Sequence, residues 1–461
     1  MMNLHSLAAC LVCLFFLRLP PVARAAELLQ WDSSRGLATA QIDSAELQSV
    51  LRRIGSATGW QIYVEPELEY RVSVKFQDAT PAEALKLILG DLNFALLAPR
   101  GGPSRLFVFR NSLDEAAPLL PAPVRAGQDL SEAAIVANEL VVVMQPDPPT
   151  NIDALAARLG ARVVGRIEAE RAYRLSFVDE ASTAAARRRL SADNSVADIE
   201  SNYSIPLPAQ PQSLQLSSPM PFQLKPKTGS DTVIVGLIDS SVQSLGQRMQ
   251  DFLLPAIQVS GRAAGGNSEL SHGTAMAETI LRAAAQFAPS ADSPIRILPV
   301  DVYGASPATT TFAVAQGIAA AVNAGATVIN LSLAGPGESQ LVANLVEQAH
   351  QAGVIFLGAA GNQPTTQPSY PAALPDVIAV TAGDRRGNIA SYANRGNFVD
   401  VVAPGISLVQ FQGTAYFVSG TSSSTAFVSG LAAQLRAEKK TATEVESELR
   451  ASLAPKPVAA Q

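Results

Sequence analysis

Residues 233–238, 295–302, 328–333, 354–357 and 377–380 are apolar runs without polar alternation. That is the pattern of strands buried on both faces. Between them lie Ala-rich stretches with helical spacing at 273–286, 310–323, 339–351 and 423–435. Gly325 and Gly353 close two of these, as a left-handed helix end requires. Strands alternating with helices predict an α/β fold over residues 231–440, a doubly wound parallel sheet covered on both sides. Ligands in such folds sit at the carboxyl ends of strands, and Asp239 directly follows one.

Two shorter regions precede it, and both read as small α+β modules. In residues 31–112, strand patterns at 38–42, 61–64, 72–76, 94–97 and 105–110 alternate with helical ones at 45–59 and 81–91. Leu47, Val50, Leu51 and Ile54 share one helical face, and Thr80-Pro81 followed by Glu83 is a helix start. Residues 133–206 predict a strand at 139–144, a helix at 151–159 ending at Gly160, strands at 163–167 and 173–177, a helix at 182–190 and an extended end at 196–203. Residues 113–132 carry Pro118, Pro121 and Pro123, and residues 207–230 are rich in Pro, Gln and Ser, so both read as linkers. Residues 441–461 read as a tail.

The start of the chain has the pattern of an export signal. An apolar run at 7–17 is too short to span a bilayer, and Ala23-Arg24-Ala25 forms a cleavage site, so residues 1–25 are expected to be removed. Cys10 and Cys13 are the two cysteines, and both lie in that segment. The mature chain is then expected to lack disulfide and thiol chemistry and to reside in the periplasm or outside the cell. A hydrophobic content of 48% is ample for packed cores. A net charge of −6 without a dense basic patch argues against a nucleic-acid partner.

Three segments carry the chemistry. Val235-Gly236-Leu237-Ile238-Asp239-Ser240-Ser241 ends a strand, Ser271-His272-Gly273-Thr274 opens a helix, and Gly420-Thr421-Ser422-Ser423-Ser424 delivers a serine into another. Together they resemble the subtilisin-like serine peptidases, in the family order Asp, His, Ser. The resemblance covers residues 231–436. In these roles Ser422 is the nucleophile, His272 takes and returns its proton, and Asp239 fixes the imidazole tautomer. Outside residues 1–25 the histidines are His272 and His350, and His350 lies in a helical stretch with no motif around it.

The resemblance implies further roles. Asn362 of Ala359-Ala360-Gly361-Asn362 is expected to donate to the oxyanion. Ser332-Leu333-Ala334-Gly335 is expected to pair with the peptide substrate, with Ala359, Ala360 and Gly361 as the opposite pocket wall. Three positions depart from the family pattern. Asp239-Ser240-Ser241 lacks the usual glycine, Ala426 replaces a proline, and Ala334 replaces a glycine, which adds a methyl beside the pocket. No acidic cluster suggests calcium, so neither metal nor cofactor is expected. Residues 133–206 resemble the inhibitory propeptides of this family, which implies a zymogen whose own propeptide is a partner, processed between residues 203 and 230. Residues 31–112 resemble the short N-terminal module of secretins and TonB-dependent receptors, which implies a protein partner at the cell envelope or in a secretion system. The overall expectation is an exported serine endopeptidase acting on proteins or peptides. The alternatives are a non-catalytic envelope adaptor that binds peptides, and an esterase with the same triad.

Overall fold

The computed structural model describes residues 28–110, 134–216 and 222–456, apart from 33, 66–67, 99–102, 228, 230, 262–268 and 385. The export segment and the linker at 113–132 lie outside the described residues.

The C-terminal part is built on one seven-stranded sheet. Ile257–Gln258, Ile295–Asp301, Val233–Asp239, Val328–Leu331, Ile355–Ala359, Val377–Gly383 and Val401–Pro404 follow one another across it, all parallel. Strands with apolar residues on both faces need cover on both faces. Helices His272–Phe287 and Thr421–Ala437 pack on one side over Val235, Leu237, Ile355 and Val380. Thr311–Asn323 and Gln340–Gln351 pack on the other over Val300, Ile329, Leu331 and Phe356. The expected α/β fold is therefore present.

The sheet gains Ile257–Gln258 and Val401–Pro404 beyond the apolar runs, and strands of a separate sheet follow it. A hairpin of Ile406–Phe411 and Thr414–Ser419 leads straight into the serine helix Thr421–Ala437. The stretch read as a tail contains a helix, Ala442–Ser452, with a capping box formed by Thr441 and Glu444. Its Val445 and Leu449 are fully buried in the same core as the serine helix. His350 is half-buried between Asp376 Oδ1 at 3.3 Å and Glu446 Oε1 at 3.1 Å, and so links Gln340–Gln351 to that last helix.

The prodomain-like region forms the expected α+β module. Val196–Pro206, Ile135–Met144, Ala172–Ser176 and Arg162–Ile167 make an antiparallel sheet, packed by helices Ile152–Leu159 and Glu180–Leu190. The N-terminal module has helices Leu47–Thr58 and Pro81–Leu89 over a three-stranded sheet. Its other three strands, Gln61–Val64, Arg105–Phe109 and Asn93–Leu97, belong to a second sheet. Residues 207–230 were read as a linker, yet Gln212–Leu216 is a strand of that second sheet. It pairs with Asn93–Leu97 on one edge and Thr414–Ser419 on the other.

One close approach fixes the helices that carry the candidate chemistry. A Cβ at Gly430 would collide with the Ile280 carbonyl oxygen and crowd Ala283. Gly430→Val is expected to lower stability by about 1–3 kcal/mol, the usual cost of overpacking. The urea midpoint of the full chain would measure it; an unchanged midpoint would show that the two helices part freely.

Candidate active site

Asp239 ends its strand and is buried. Its Oδ1 accepts the Ser240 N–H at 2.7 Å, which fixes the carboxylate. His272 opens a helix whose N-cap, Ser271, accepts the Thr274 N–H and donates to the Ser241 carbonyl at 2.7 Å. The Gly273 N–H donates to Ser240 Oγ at 2.9 Å. The helix start is thus laced to the residues just after Asp239. His272 Nδ1 lies 2.8 and 2.9 Å from the two Asp239 oxygens. A carboxylate only accepts, so Nδ1 carries the proton and Nε2 is left as the acceptor. The missing glycine at 241 costs nothing in backbone strain, since Ser241 does not adopt a positive φ.

Ser422 lies in the first turn of its helix, where backbone N–H groups have no helical partner. The preceding Gly420 has φ +136, a conformation open only to glycine, and a Cβ there would crowd the Asn362 amide. Three serines follow one another, and their surroundings tell them apart. Ser423 Oγ pairs with Ser407 Oγ at 2.5 Å, and Ser424 Oγ donates to the Ala403 and Pro404 carbonyls at 3.1 Å. Ser422 Oγ donates to the Ser332 carbonyl at 3.1 Å, while Ser332 Oγ donates to the Ser422 carbonyl at the same length. Ser332 is itself held by a buried chain from Ser429 through Asn330. Among the described residues no hydrogen bond joins Ser422 to His272; the Ser422 hydroxyl is engaged by Ser332.

Asn362 stands beside this turn. Its Oδ1 accepts the Thr421 N–H at 2.9 Å, and Thr421 Oγ1 accepts the Gly361 N–H at 3.1 Å. Fixing Oδ1 aims the amide nitrogen along the start of the serine helix. Ala359 and Ala360 are buried behind it, and the Ala360 N–H bonds to Val380. Strand Val328–Leu331 stops before Ser332, so Ser332, Leu333 and Ala334 run outside the sheet ladder. Gly335 exchanges two backbone hydrogen bonds with Tyr370. Among the described residues no cluster of His, Cys, Asp or Glu is arranged to hold a metal ion.

The cleft beside Ser332–Gly335 holds the chain's own strand. Ser204, Ile205 and Pro206 pair antiparallel with Thr310, Thr309 and Ala308, and the Leu207 N–H donates to the Pro307 carbonyl at 2.8 Å. Ile205 is buried among the apolar side chains of Val314, Val342, Tyr370 and Leu374. Upstream on the same strand, Glu200 and Asn202 project to one face, as alternate residues do. Asn202 Oδ1 accepts the Phe312 N–H at 3.1 Å. Glu200 accepts from Ser339 Oγ at 2.6 Å and from the Gln340 N–H at 2.7 Å. Each therefore satisfies first-turn donors of a helix in the other domain. Sequence reading missed these two residues; two adjacent-face polar groups in an otherwise sheet-forming stretch were the available signal.

Two buried carboxyls near the site are shifted. Asp301 stands abreast of Asp239 in the sheet register, and burial, reinforced by the Asp239 charge, pushes it up. Its Oδ1 accepts the Tyr303 and Gly304 N–H groups, so it shapes the turn after its strand. Burial also raises Glu200, against the lowering effect of its hydrogen bonds.

Residues 230–454 match the model of the subtilase family, and residues 121–202 match the fervidolysin N-terminal prodomain. Subtilisin Savinase of Lederbergia lenta is 35% identical over 182 residues, covering 38% of this chain and 66% of that protein. Thermitase of Thermoactinomyces vulgaris is 37% identical over 153 residues, covering 33% of this chain and 55% of that protein. The chain spans about half the length of the curated relatives it matches. The crystal structure of fervidolysin from Fervidobacterium pennivorans, described as a keratinolytic enzyme related to subtilisin, aligns with TM-score 0.53 at 19% identity, covering 72% of this chain and 58% of that one. That likeness establishes the fold.

The raised Glu200 carries a pH prediction. A carboxyl whose value is higher when docked favours docking in its protonated form; its contribution is present below the undocked value and lost as pH rises through the docked one. In full-length chain carrying Ser422→Ala, melting temperature should therefore fall with rising pH across the carboxylate range, relative to the same chain with Glu200→Gln. Parallel profiles for the two chains would refute this.

Proposed function

We propose, for a chain that carries a subtilase-family domain over residues 230–454, that it is a serine endopeptidase made as a zymogen. The observation that carries this reading is the buried Asp239–His272 pair, with Ser422 at a helix start bonded to Ser332, which follows the strand next to that of Asp239. Ser422 Oγ attacks the carbonyl carbon of a bound peptide as His272 Nε2 takes its proton. The imidazolium is stabilised by Asp239 and returns the proton to the leaving amine as the C–N bond breaks. Water, deprotonated by the same imidazole, then hydrolyses the ester and restores Ser422. The Ser422 N–H and the Asn362 amide stabilise the oxyanion in both steps. An esterase reading leaves the strand pairing at Ala308–Thr310 without a purpose.

Residues 134–206 act as the inhibitory propeptide, supported by the prodomain match and by the strand in the cleft. Substrates are proteins or peptides that enter as the same kind of strand. The stretch that crosses the serine is short. The pairing of Gln212 with Phe417, continued two residues, brings residue 210 level with Ser419, while Leu207 is still bonded to Pro307 on the other side. Processing therefore falls within residues 207–212, where Ala209–Gln210 is the bond that joins two residues other than proline, between Pro208 and Pro211. Export rests on the apolar run at 7–17 and the Ala23-Arg24-Ala25 site, and an envelope partner for residues 31–112 rests on element order.

The resting bond from Ser422 to Ser332 also fits a non-catalytic adaptor, and a fluorophosphonate probe separates the two. Wild type should be labelled, and its cut form should begin between residues 208 and 212 by N-terminal sequencing. Ser422→Ala should be neither labelled nor cut; an unlabelled wild type with an open cleft would make the chain an adaptor. Asn362→Ala should lower kcat about 10²–10³-fold with KM little changed, as for oxyanion donors generally. A loss confined to KM would place Asn362 in binding instead.

A further inference from the structure

The N-terminal module and the propeptide-like module meet the C-terminal domain at different strands, the first at Thr414–Ser419 through Gln212–Leu216 and the second at Ala308–Thr310. Its strands Gln61–Val64, Arg105–Phe109 and Asn93–Leu97 are continued by Gln212–Leu216, Thr414–Ser419 and Ile406–Phe411 into one six-stranded sheet. Thr414–Ser419 is the strand that runs into Gly420 and Ser422. Residues 212–216 thus fill one edge of the strand that leads to Ser422, and the module fills their other edge. An exposed strand edge is a template for pairing, and here both edges are filled from within the chain.

The seam is apolar as well as hydrogen-bonded. Leu97, Phe107 and Phe109 of the module, Leu214 of the bridging strand, and Ile406 and Phe417 of the hairpin form one buried cluster. The Phe107 ring is stacked on Phe417 at 5.8 Å and on Tyr63 at 5.2 Å. The propeptide makes its own, separate contact through Ser204–Pro206 and through Glu200 and Asn202.

We propose that the N-terminal module is a second clamp of the latent form. After the cut within residues 207–212, the released fragment carries both the module and the propeptide. It holds the catalytic domain at two points, one at each of these strands. The second contact is then intramolecular to the first, which raises retention about 10²–10⁴-fold over either contact alone. The inhibitory consequence rests on the peptidase reading; the clamp itself does not.

The test keeps the two apart. Full-length chain carrying Ser422→Ala, with residues 208–211 replaced by the recognition sequence of an exogenous protease, is cut and its fragments followed by gel filtration. Leu214 lies outside both folded modules, so Leu214→Glu breaks the seam with least harm to either. We expect the N-terminal fragment to stay bound without the substitution and to dissociate about 100-fold faster or more with it. The exposed Val178→Glu serves as a control and should change nothing (Val178 is 83% exposed). Equal release rates with and without Leu214→Glu would overturn the clamp. Hydrogen exchange on the unsubstituted cut chain needs no seam variant: residues 93–97 should stay protected along with 196–206. Rapid exchange at 93–97 while 196–206 stays protected would also overturn it. Failure of fluorophosphonate to label the chain with Ser422 intact, cut at the inserted site and freed of its N-terminal fragment, would sink the peptidase reading and leave this result standing.

Discussion

A serine and a histidine on different helices act on one bond only if the helices are held at a fixed separation. Here the absence of a side chain at Gly430 sets that separation, by letting its backbone reach the Ile280 carbonyl. The remaining positions follow from it. The His272 helix is tied at its start to the end of the Asp239 strand through Ser240, Ser241 and Ser271. The Ser422 helix is tied to Val328–Leu331 through Ser429, Asn330 and Ser332. Short polar side chains make these ties because each spans a backbone-to-backbone gap that a larger group would force open.

The same economy adds to the apolar contact between the propeptide-like module and the neighbouring domain, where Val141, Ile167, Ala172 and Ile205 pack in one cluster with Phe312 and Val314. Helices Thr311–Asn323 and Gln340–Gln351 have their own N-caps, Thr310 and Ser339. A cap satisfies one donor of the several that a first turn exposes. Asn202 and Glu200 take further donors, so one strand face completes two helix ends. These polar groups can return to water when the strands part, whereas the apolar ones, Ile205 among them, favour keeping the two domains together.

Much of this was legible in the sequence. The parallel strands, their covering helices and the order of Asp239, His272 and Ser422 follow from periodicity and short motifs, because a doubly buried strand has no other way to be written. The unread parts depend on partners far away in sequence. Gln212–Leu216 reads as a polar linker and becomes a strand because both its edges are filled. Helix Ala442–Ser452 buries only Val445 and Leu449, too thin an apolar stripe to announce itself, although its capping box at Thr441 and Glu444 was visible. Composition alone did not separate Ser422 from Ser423 and Ser424; the resemblance to the family motif named Ser422, and each of the three hydroxyls has a different partner.

The central strand Val233–Asp239 pairs with Ile295–Asp301 and Val328–Leu331, and the helix that completes the site begins only at Thr421. Contacts between segments so distant along the chain are entropically costly to form, and chains dominated by them reach the native state slowly. The serine is made late in synthesis, after every segment it must meet. A polypeptide with this layout cannot complete the arrangement of Asp239, His272 and Ser422 until nearly all of it has been assembled, because the last of the three arrives near its end.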